Sequence, residues 1–250
     1  MTDDAGVERI VLIHGAWHDG SCWAPVVAEL AGRGYDARAV DLPADRPGAG
    51  LDEYADAVLD AVGPTGRVLL VGHSLGGLTA PVVAQRIGSD RVAGLVLVAA
   101  LLPRPGASWQ DRVRSEPGIM APGFGRGQQR HDDGTTSWPA AEAESGLYAG
   151  VAQESSGELV AQAVAGLRPQ DWAVTREVSP LTAWPPVPTV CVVCAQDRVV
   201  DPDWSRSAAA GIPGAEVVEL DGGHFPMLTR PAQLAAIVAA AADRPRGGGG

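Results

Sequence analysis

Short runs of apolar residues with no polar residue among them recur along the chain, and they constrain its fold more than any other feature. Examples are VLLV at 68–71 and LVLVA at 95–99. A run without a polar face suits a strand that is covered on both sides, as in a parallel sheet. Segments with apolar residues at helical spacing, such as 51–62 and 75–87, separate these runs. The alternation of strand and helix predicts an α/β fold.

This alternation covers residues 1–102 and resumes over 189–242, so both parts are predicted to form one α/β core domain. The residues between them, 103–188, are rich in Pro, Gly and Ser and contain only short helical patterns. Four tryptophans argue against a disordered linker there, namely Trp109, Trp138, Trp172 and Trp184. We therefore predict a helical lid inserted over the sheet, and a disordered glycine-rich tail at 243–250.

The charged residues exclude several classes of function. The chain has no lysine, which removes Schiff-base chemistry and Walker-type phosphate loops. Its net charge of −11 comes without basic clusters, which argues against nucleic acid and anionic membranes as partners. No apolar run is long enough to span a bilayer.

The three cysteines, Cys22, Cys191 and Cys194, are predicted to be reduced thiols, with Cys191 and Cys194 packed in the core. Cys191 and Cys194 form a C-x-x-C pattern inside the apolar run TVCVVC. Residues three apart on a strand point to opposite faces, so neither a redox pair nor a zinc site is expected. The acidic N-terminal segment lacks the pattern of a signal peptide. A cytoplasmic location is the expectation.

The pentapeptide Gly72-His73-Ser74-Leu75-Gly76 matches the pattern G-x-S-x-G. By itself the pattern is weak, but here it lies between an apolar strand and a helical segment. That is the setting of a nucleophile elbow, in which a strained sharp turn presents the serine. Ser74 is therefore predicted to be a catalytic nucleophile.

A serine hydroxyl needs a base, and the base needs a carboxylate to fix its tautomer. His224 follows the last predicted strand on a loop and is the predicted base, whereas His73 is too close to Ser74 on the same turn. The predicted carboxylate is Asp197, at the end of the strand VCVVC. Asp201 is the competitor, although it is better placed to start the helix after Pro202.

Two backbone N–H groups are predicted to form the oxyanion hole. The N–H of Leu75 follows the nucleophile directly, at the start of a helix. The loop after the first strand, HGAW at 14–17, should provide the second donor through Ala16.

With these residues in place, the chain resembles the α/β-hydrolase superfamily over nearly its whole length. It is similar in particular to the branch of plant methyl esterases, salicylate-binding esterases and hydroxynitrile lyases. The segments that carry the resemblance are VLIHGAWHDGSCW, VGHSLGG, CAQDRVVDP and DGGHFPMLTRP. The resemblance implies a mostly parallel central sheet flanked by helices, with the lid closing an acyl pocket, and it implies no metal and no cofactor.

The resemblance also separates the possible reactions. Hydroxynitrile lyases of this branch carry threonine and lysine where this chain has Gly15 and Phe225, so cyanohydrin cleavage is not expected. We predict a serine esterase that acts on a small-molecule ester, apolar or aromatic in character. Two alternatives stay open: another acyl or carbon–carbon hydrolase or lyase, and a ligand-binding protein that retains the triad. The oligomeric state is left open, with a homodimer as one option.

Overall fold

A six-stranded parallel sheet forms the centre of the chain, seen here in a computed structural model that describes residues 6–244. Its strands stand in the order β2-β1-β3-β4-β7-β8, and every neighbouring pair is parallel. The strands of the described chain are β1 Arg9–Ile13, β2 Ala37–Val40, β3 Val68–His73, β4 Val92–Val98, β5 Gln129–Arg130, β6 Thr136–Ser137, β7 Thr189–Cys194 and β8 Glu216–Leu220. The predicted α/β fold with a parallel central sheet is confirmed.

Helices cover the sheet and make its middle strands the core. Every residue of β3, β4 and β7 is buried, which explains why these runs contain no alternating polar residues. Helix α1 packs against α11, and α2 packs against α3. The helices are α1 Ala24–Gly32, α2 Leu51–Val62, α3 Gly76–Ile87, α4 Trp109–Ser115, α5 Ala140–Glu142, α6 Val151–Glu154, α7 Gly157–Ala165, α8 Ala173–Arg176, α9 Pro202–Ala210, α10 Pro226–Thr229 and α11 Pro231–Ala242.

Two helices begin at residues other than those that the sequence pattern predicts. The helical pattern from Cys22 onward is divided into a 3₁₀ turn, Gly20–Trp23, and α1. Pro25 stands in the first turn of α1, where its missing N–H would have no intrahelical partner in any case. The helix expected from residue 75 begins at Gly76, because Leu75 is its N-cap.

The inserted segment, residues 103–188, contains α4 to α8 but is not purely helical. It also holds a π-helical turn, Ala143–Leu147, and a short antiparallel hairpin of β5 and β6. The hairpin turn depends on Gly134, whose φ of 86° favours glycine, and on Asp133, whose Oδ1 accepts the N–H of Thr135 at 2.9 Å.

The predicted tail lies outside the described residues from position 245 onward. Before it, Asp243 accepts a hydrogen bond of 2.6 Å from the Tyr35 hydroxyl. Within residues 6–244, none of the helices has both the length and the apolar character needed to cross a bilayer.

Candidate active site

The predicted site residues stand on loops at one edge of the sheet. Ser74 directly follows β3, and Ala16 lies on the loop after β1. Asp197 and His224 lie on the loops after β7 and β8. Because all four strands run parallel, their carboxyl ends meet at the same edge, where open α/β sheets bind ligands.

Ser74 occupies a strained turn between β3 and α3. Its φ is 48°, a left-handed conformation that costs about 1–2 kcal/mol for an L-residue. Three hydrogen bonds hold it: its N–H donates to the Val98 carbonyl at 3.1 Å, and its carbonyl accepts from Gly77 and Leu101, both at 2.9 Å. A Cβ at Gly76 would lie 2.7 Å from the Ile13 carbonyl oxygen, so only glycine fits there. This geometry is that of a nucleophile elbow.

His224 and Asp197 form a buried pair next to this turn. The His224 Nδ1–H donates to Asp197 Oδ2 at 2.7 Å, and both side chains are almost fully buried. The other oxygen, Oδ1, accepts the backbone N–H groups of Val199 at 2.7 Å and Val200 at 3.0 Å. Both carboxylate oxygens are therefore fixed. Because Nδ1 of the neutral ring carries the proton, Nε2 is its hydrogen-bond acceptor.

The competing carboxylate, Asp201, is engaged elsewhere. Its Oδ1 accepts the N–H groups of Asp203 at 2.9 Å and Trp204 at 3.0 Å, so it caps the N-terminus of α9. His224 Nδ1 is bonded to Asp197 and not to Asp201.

Ser74 and His224 line the same cavity, although no hydrogen bond joins their side chains to each other. Catalytic hydrogen bonds of this kind are often long until substrate binds. The N–H groups of Ala16 and Leu75 have no acceptor among residues 6–244, and both residues line this cavity. Two free donors beside a serine are what an oxyanion hole needs.

The side chains of His14 and His18 orient the loop that carries Ala16. The His14 Nδ1–H donates to the Gly15 carbonyl at 2.7 Å, and His14 Nε2 accepts the Leu42 N–H at 3.0 Å. The Gly15 carbonyl and the Ala16 N–H belong to one planar trans peptide and point in opposite directions. The His14 ring therefore sets the direction of the Ala16 N–H. In the next peptide, His18 Nδ1–H donates to the Ala16 carbonyl at 2.7 Å.

His73 contacts His224 from the side of Ser74. Its Nε2–H donates to the backbone carbonyl of His224 at 2.9 Å, and its ring lies 4.8 Å from the His224 ring, centroid to centroid. A Cβ at Gly15 would lie 2.9 Å from both His73 Nδ1 and Ser74 Cβ, so glycine is required for this approach. The motif G-x-S-x-G does not specify its second residue, so this role was not evident from the sequence.

Burial keeps these supporting histidines neutral. It lowers the pKa of His14 and of His18 to about 4, and it lowers the pKa of His73 well below the ordinary value. His131, at the hairpin of β5 and β6, is half-buried, and its Nε2 lies 2.8 Å from Ser137 Oγ.

Because burial lowers the pKa values of these histidines, we expect the protein to lose stability in mild acid. The folded pKa of His18, about 4, lies below its unfolded value of 6.5, so the unfolded chain binds more protons between these limits. The stabilisation is complete above pH 6.5 and is lost as the pH falls towards 4. We expect His14 and His18 to contribute about 2 kcal/mol each to the difference in unfolding free energy between pH 7 and pH 5.

Urea unfolding at the two pH values measures this difference. The variant His18→Gln should reduce the difference by about 2 kcal/mol. An unchanged difference in His18→Gln would contradict the prediction.

The cavity that contains these groups is apolar. It has a volume of about 260 Å³. Roughly half of its wall comes from the inserted segment, through Trp109, Val113, Met120, Phe124, Gly125, Gln128, Leu147 and Trp172. No Asp, Glu or Arg of the described chain lines it. Such a cavity suits a neutral, apolar ligand.

The described residues provide neither a reactive thiol on β7 nor a metal site. Cys191 and Cys194 are buried thiols on β7, and burial raises the pKa of Cys191 to about 12. Over residues 6–244, no cluster of three or more His, Cys, Asp or Glu side chains is arranged to hold a metal ion.

Comparison with known proteins relates the chain to hydrolases and esterases. Residues 10–237 match the sequence profile of the alpha/beta hydrolase family. The chain is 28% identical to Methylesterase 7 of Arabidopsis thaliana, over 97% of this chain and 99% of that protein. It is 30% identical to the probable esterase PIR7A of Oryza sativa subsp. indica, over 92% and 94% of the two chains. The crystal structure of a pyrethroid hydrolase from Sphingobium faniae JZ-2 superimposes with a TM-score of 0.79 at 28% identity, over 96% and 98% of the two chains.

Proposed function

This chain belongs to the alpha/beta hydrolase family and is an esterase-type hydrolase, and we propose that Ser74, His224 and Asp197 catalyse its reaction through an acyl-enzyme. The observation that carries the proposal is the buried 2.7 Å pair of His224 and Asp197 beside the serine of a nucleophile elbow. A base oriented by a carboxylate, next to a presented serine, is the arrangement for acyl transfer.

The reaction follows from the hydrogen bonds of these groups. His224 Nε2 takes the proton of the Ser74 hydroxyl while Ser74 Oγ forms a bond to the ester carbonyl carbon. Asp197 holds the imidazolium that results, and the N–H groups of Ala16 and Leu75 stabilise the oxyanion. The carbon–oxygen bond to the alcohol then breaks, and His224 returns its proton to the departing oxygen. Water, deprotonated by His224, releases the acid from Ser74 in the same manner.

The cavity supports a neutral ester with an apolar or aromatic group as substrate. Its wall carries aromatic rings, including those of Trp17, Phe124 and Trp172, and no charged side chain among the described residues. A carboxylate on the substrate would lose its hydration there without gaining a cationic partner, which is costly. The relatives named for methyl ester and pyrethroid hydrolysis support this substrate class.

Hydrolysis of nitrophenyl esters tests the proposal. We expect the purified protein to cleave 4-nitrophenyl butyrate and 4-nitrophenyl benzoate, and to cleave the carboxylate-bearing 4-nitrophenyl hemisuccinate at least about tenfold more slowly, because the acid group must be desolvated. Mass spectrometry of the quenched reaction should find a single acyl group on Ser74. A protein that binds these esters tightly but releases no nitrophenol would be a ligand-binding protein instead. Equal rates for all three esters would exclude the proposed substrate class.

A further inference from the structure

Trp17, next to the proposed oxyanion donor Ala16, has a backbone conformation that is unfavourable for tryptophan. Its φ is 63°, which bulky L-residues rarely adopt. Conformations of this kind persist only where the surrounding structure holds them, and they are concentrated at active sites. The surroundings of Trp17 therefore decide whether the oxyanion loop keeps its shape.

Those surroundings belong to the inserted segment and not to the sheet. The Trp17 carbonyl accepts the backbone N–H of Arg168 at 2.8 Å, and the Trp17 N–H donates to Gln170 Oε1 at 3.4 Å. The indole Nε1–H donates to Thr136 Oγ1 at 3.0 Å. Every one of these hydrogen bonds of Trp17 reaches residues 136–170, far along the chain.

Thr136 and Gln170 are themselves rigidly held. They exchange both backbone hydrogen bonds, at 2.9 and 2.8 Å, and both are buried. Thr136 Oγ1 also accepts the indole N–H of Trp172 at 3.0 Å. Gln170 Nε2 donates to the hydroxyl of Tyr54 on α2 at 2.9 Å, and this hydrogen bond connects the pair of Thr136 and Gln170 to the core.

The indole ring of Trp17 is fixed by aromatic contacts as well. It meets the rings of Phe124, Trp138 and Trp172 edge to face, at centroid distances of 6.3, 5.6 and 5.3 Å. Removing the hydrogen bond to Thr136 would leave a buried indole N–H without an acceptor and remove one of the constraints on the ring.

We propose that Thr136 and Gln170 are positioning residues for the oxyanion hole, acting through Trp17 on the adjacent Ala16 N–H. This inference rests on the proposed function, in which Ala16 is an oxyanion donor. The inserted segment then has a second task besides forming the cavity wall: it holds the oxyanion loop in its left-handed turn. The oxyanion exists only in the transition state and the tetrahedral intermediates, so a disturbed loop lowers kcat and leaves substrate binding largely intact.

The variant Thr136→Val tests the inference because valine keeps the shape of threonine and removes the hydroxyl that accepts the indole N–H groups of Trp17 and Trp172. We expect kcat for 4-nitrophenyl butyrate to fall about ten- to a hundredfold, with KM changed by less than about twofold. The inhibition constant of phenyl trifluoromethyl ketone, which forms a tetrahedral oxyanion on a serine, should rise by the same factor as kcat falls. Thr136→Ser retains the hydroxyl and should restore both values.

Thr135→Val is the matched control. Thr135 is equally buried on the same hairpin, but its hydroxyl donates to Asp133 at 2.8 Å and makes no hydrogen bond to Trp17. This control should keep the wild-type kcat and ketone affinity. If Thr136→Val behaves like Thr135→Val, or raises KM alone, the inference is wrong. Wild-type protein that shows neither Ser74-dependent turnover nor ketone binding would instead refute the proposed function.

A second route removes the same hydrogen bond from the other side and serves if Thr136→Val does not fold. Trp17→Phe keeps an aromatic ring and deletes the N–H donor, so a comparable loss in kcat is expected. In the double variant Trp17→Phe should add no further loss to that of Thr136→Val, because the hydrogen bond it deletes is already absent there. Multiplied losses, or a Trp17→Phe protein with wild-type kcat, would overturn the inference.

Discussion

Replacing Ser74 with Ala is expected to lower kcat for 4-nitrophenyl butyrate by about a millionfold, the loss typical of removing the nucleophile of a serine hydrolase. The reason is that the acyl-enzyme can no longer form, while the oxyanion donors and the cavity remain. The expected residual rate above uncatalysed hydrolysis, about a thousandfold, comes from those remaining parts. Steady-state hydrolysis with a discontinuous product assay measures so large a loss.

The fold of Ser74→Ala should be unchanged. The three backbone hydrogen bonds of residue 74 do not involve its hydroxyl, so we expect the Tm to shift by less than about 4 °C, which corresponds to about 1 kcal/mol. Ser205→Ala is a matched control, because Ser205 on α9 has the same exposure of 8% and does not line the cavity. Turnover by Ser74→Ala near the wild-type rate would show that the nucleophile has been misassigned.

Replacing Asp197 with Asn is expected to lower kcat by about ten-thousandfold with little change in KM. The side chain of Asp197 accepts from Val199, Val200 and His224 at once. An asparagine oxygen can serve the two backbone N–H groups, but its NH₂ group then faces His224 Nδ1 and donates to it. His224 is forced into the tautomer with the proton on Nε2, which cannot accept the Ser74 proton.

Asp201→Asn is the control for this tautomer argument. Asparagine caps helices about as well as aspartate, so α9 should be retained, and residue 201 has no bond to His224. The variant should keep the wild-type kcat. If Asp201→Asn lost activity as Asp197→Asn does, the assignment of the orienting carboxylate to residue 197 alone would be wrong.

Much of the fold could be predicted because its signals are local. The strand runs at 68–71 and 95–99 are apolar at every position, and the structure buries them on both faces. Ser74 could be proposed because its motif, its strand and its helix are contiguous in the chain. The hairpin within residues 103–188 was missed, since β5 and β6 have only two residues each and no detectable periodicity.

The roles of the other histidines were missed for a different reason. A histidine in a loop or at the end of a strand has the same sequence signature whether it acts as a base, fixes a peptide or faces solvent. His14 and His73 acquire their roles from the acceptors that the fold brings to them, the carbonyls of Gly15 and His224. Their neutrality also depends on burial, which the residue type does not reveal.

The sequence by itself determined the acidic composition, the α/β alternation and the strand ends that carry Ser74, Asp197 and His224. The alternation and the strand ends could be predicted because they depend on residues that are neighbours in the chain. Only the tertiary structure decided that the inserted segment holds the loop that carries Ala16 and Trp17. The hydrogen bond from Trp17 to Thr136 joins residues 119 positions apart, and the one from Gly223 to Glu154 joins the loop that carries His224 to the same segment. Such contacts depend on how separate elements pack, and no local pattern of residues encodes them.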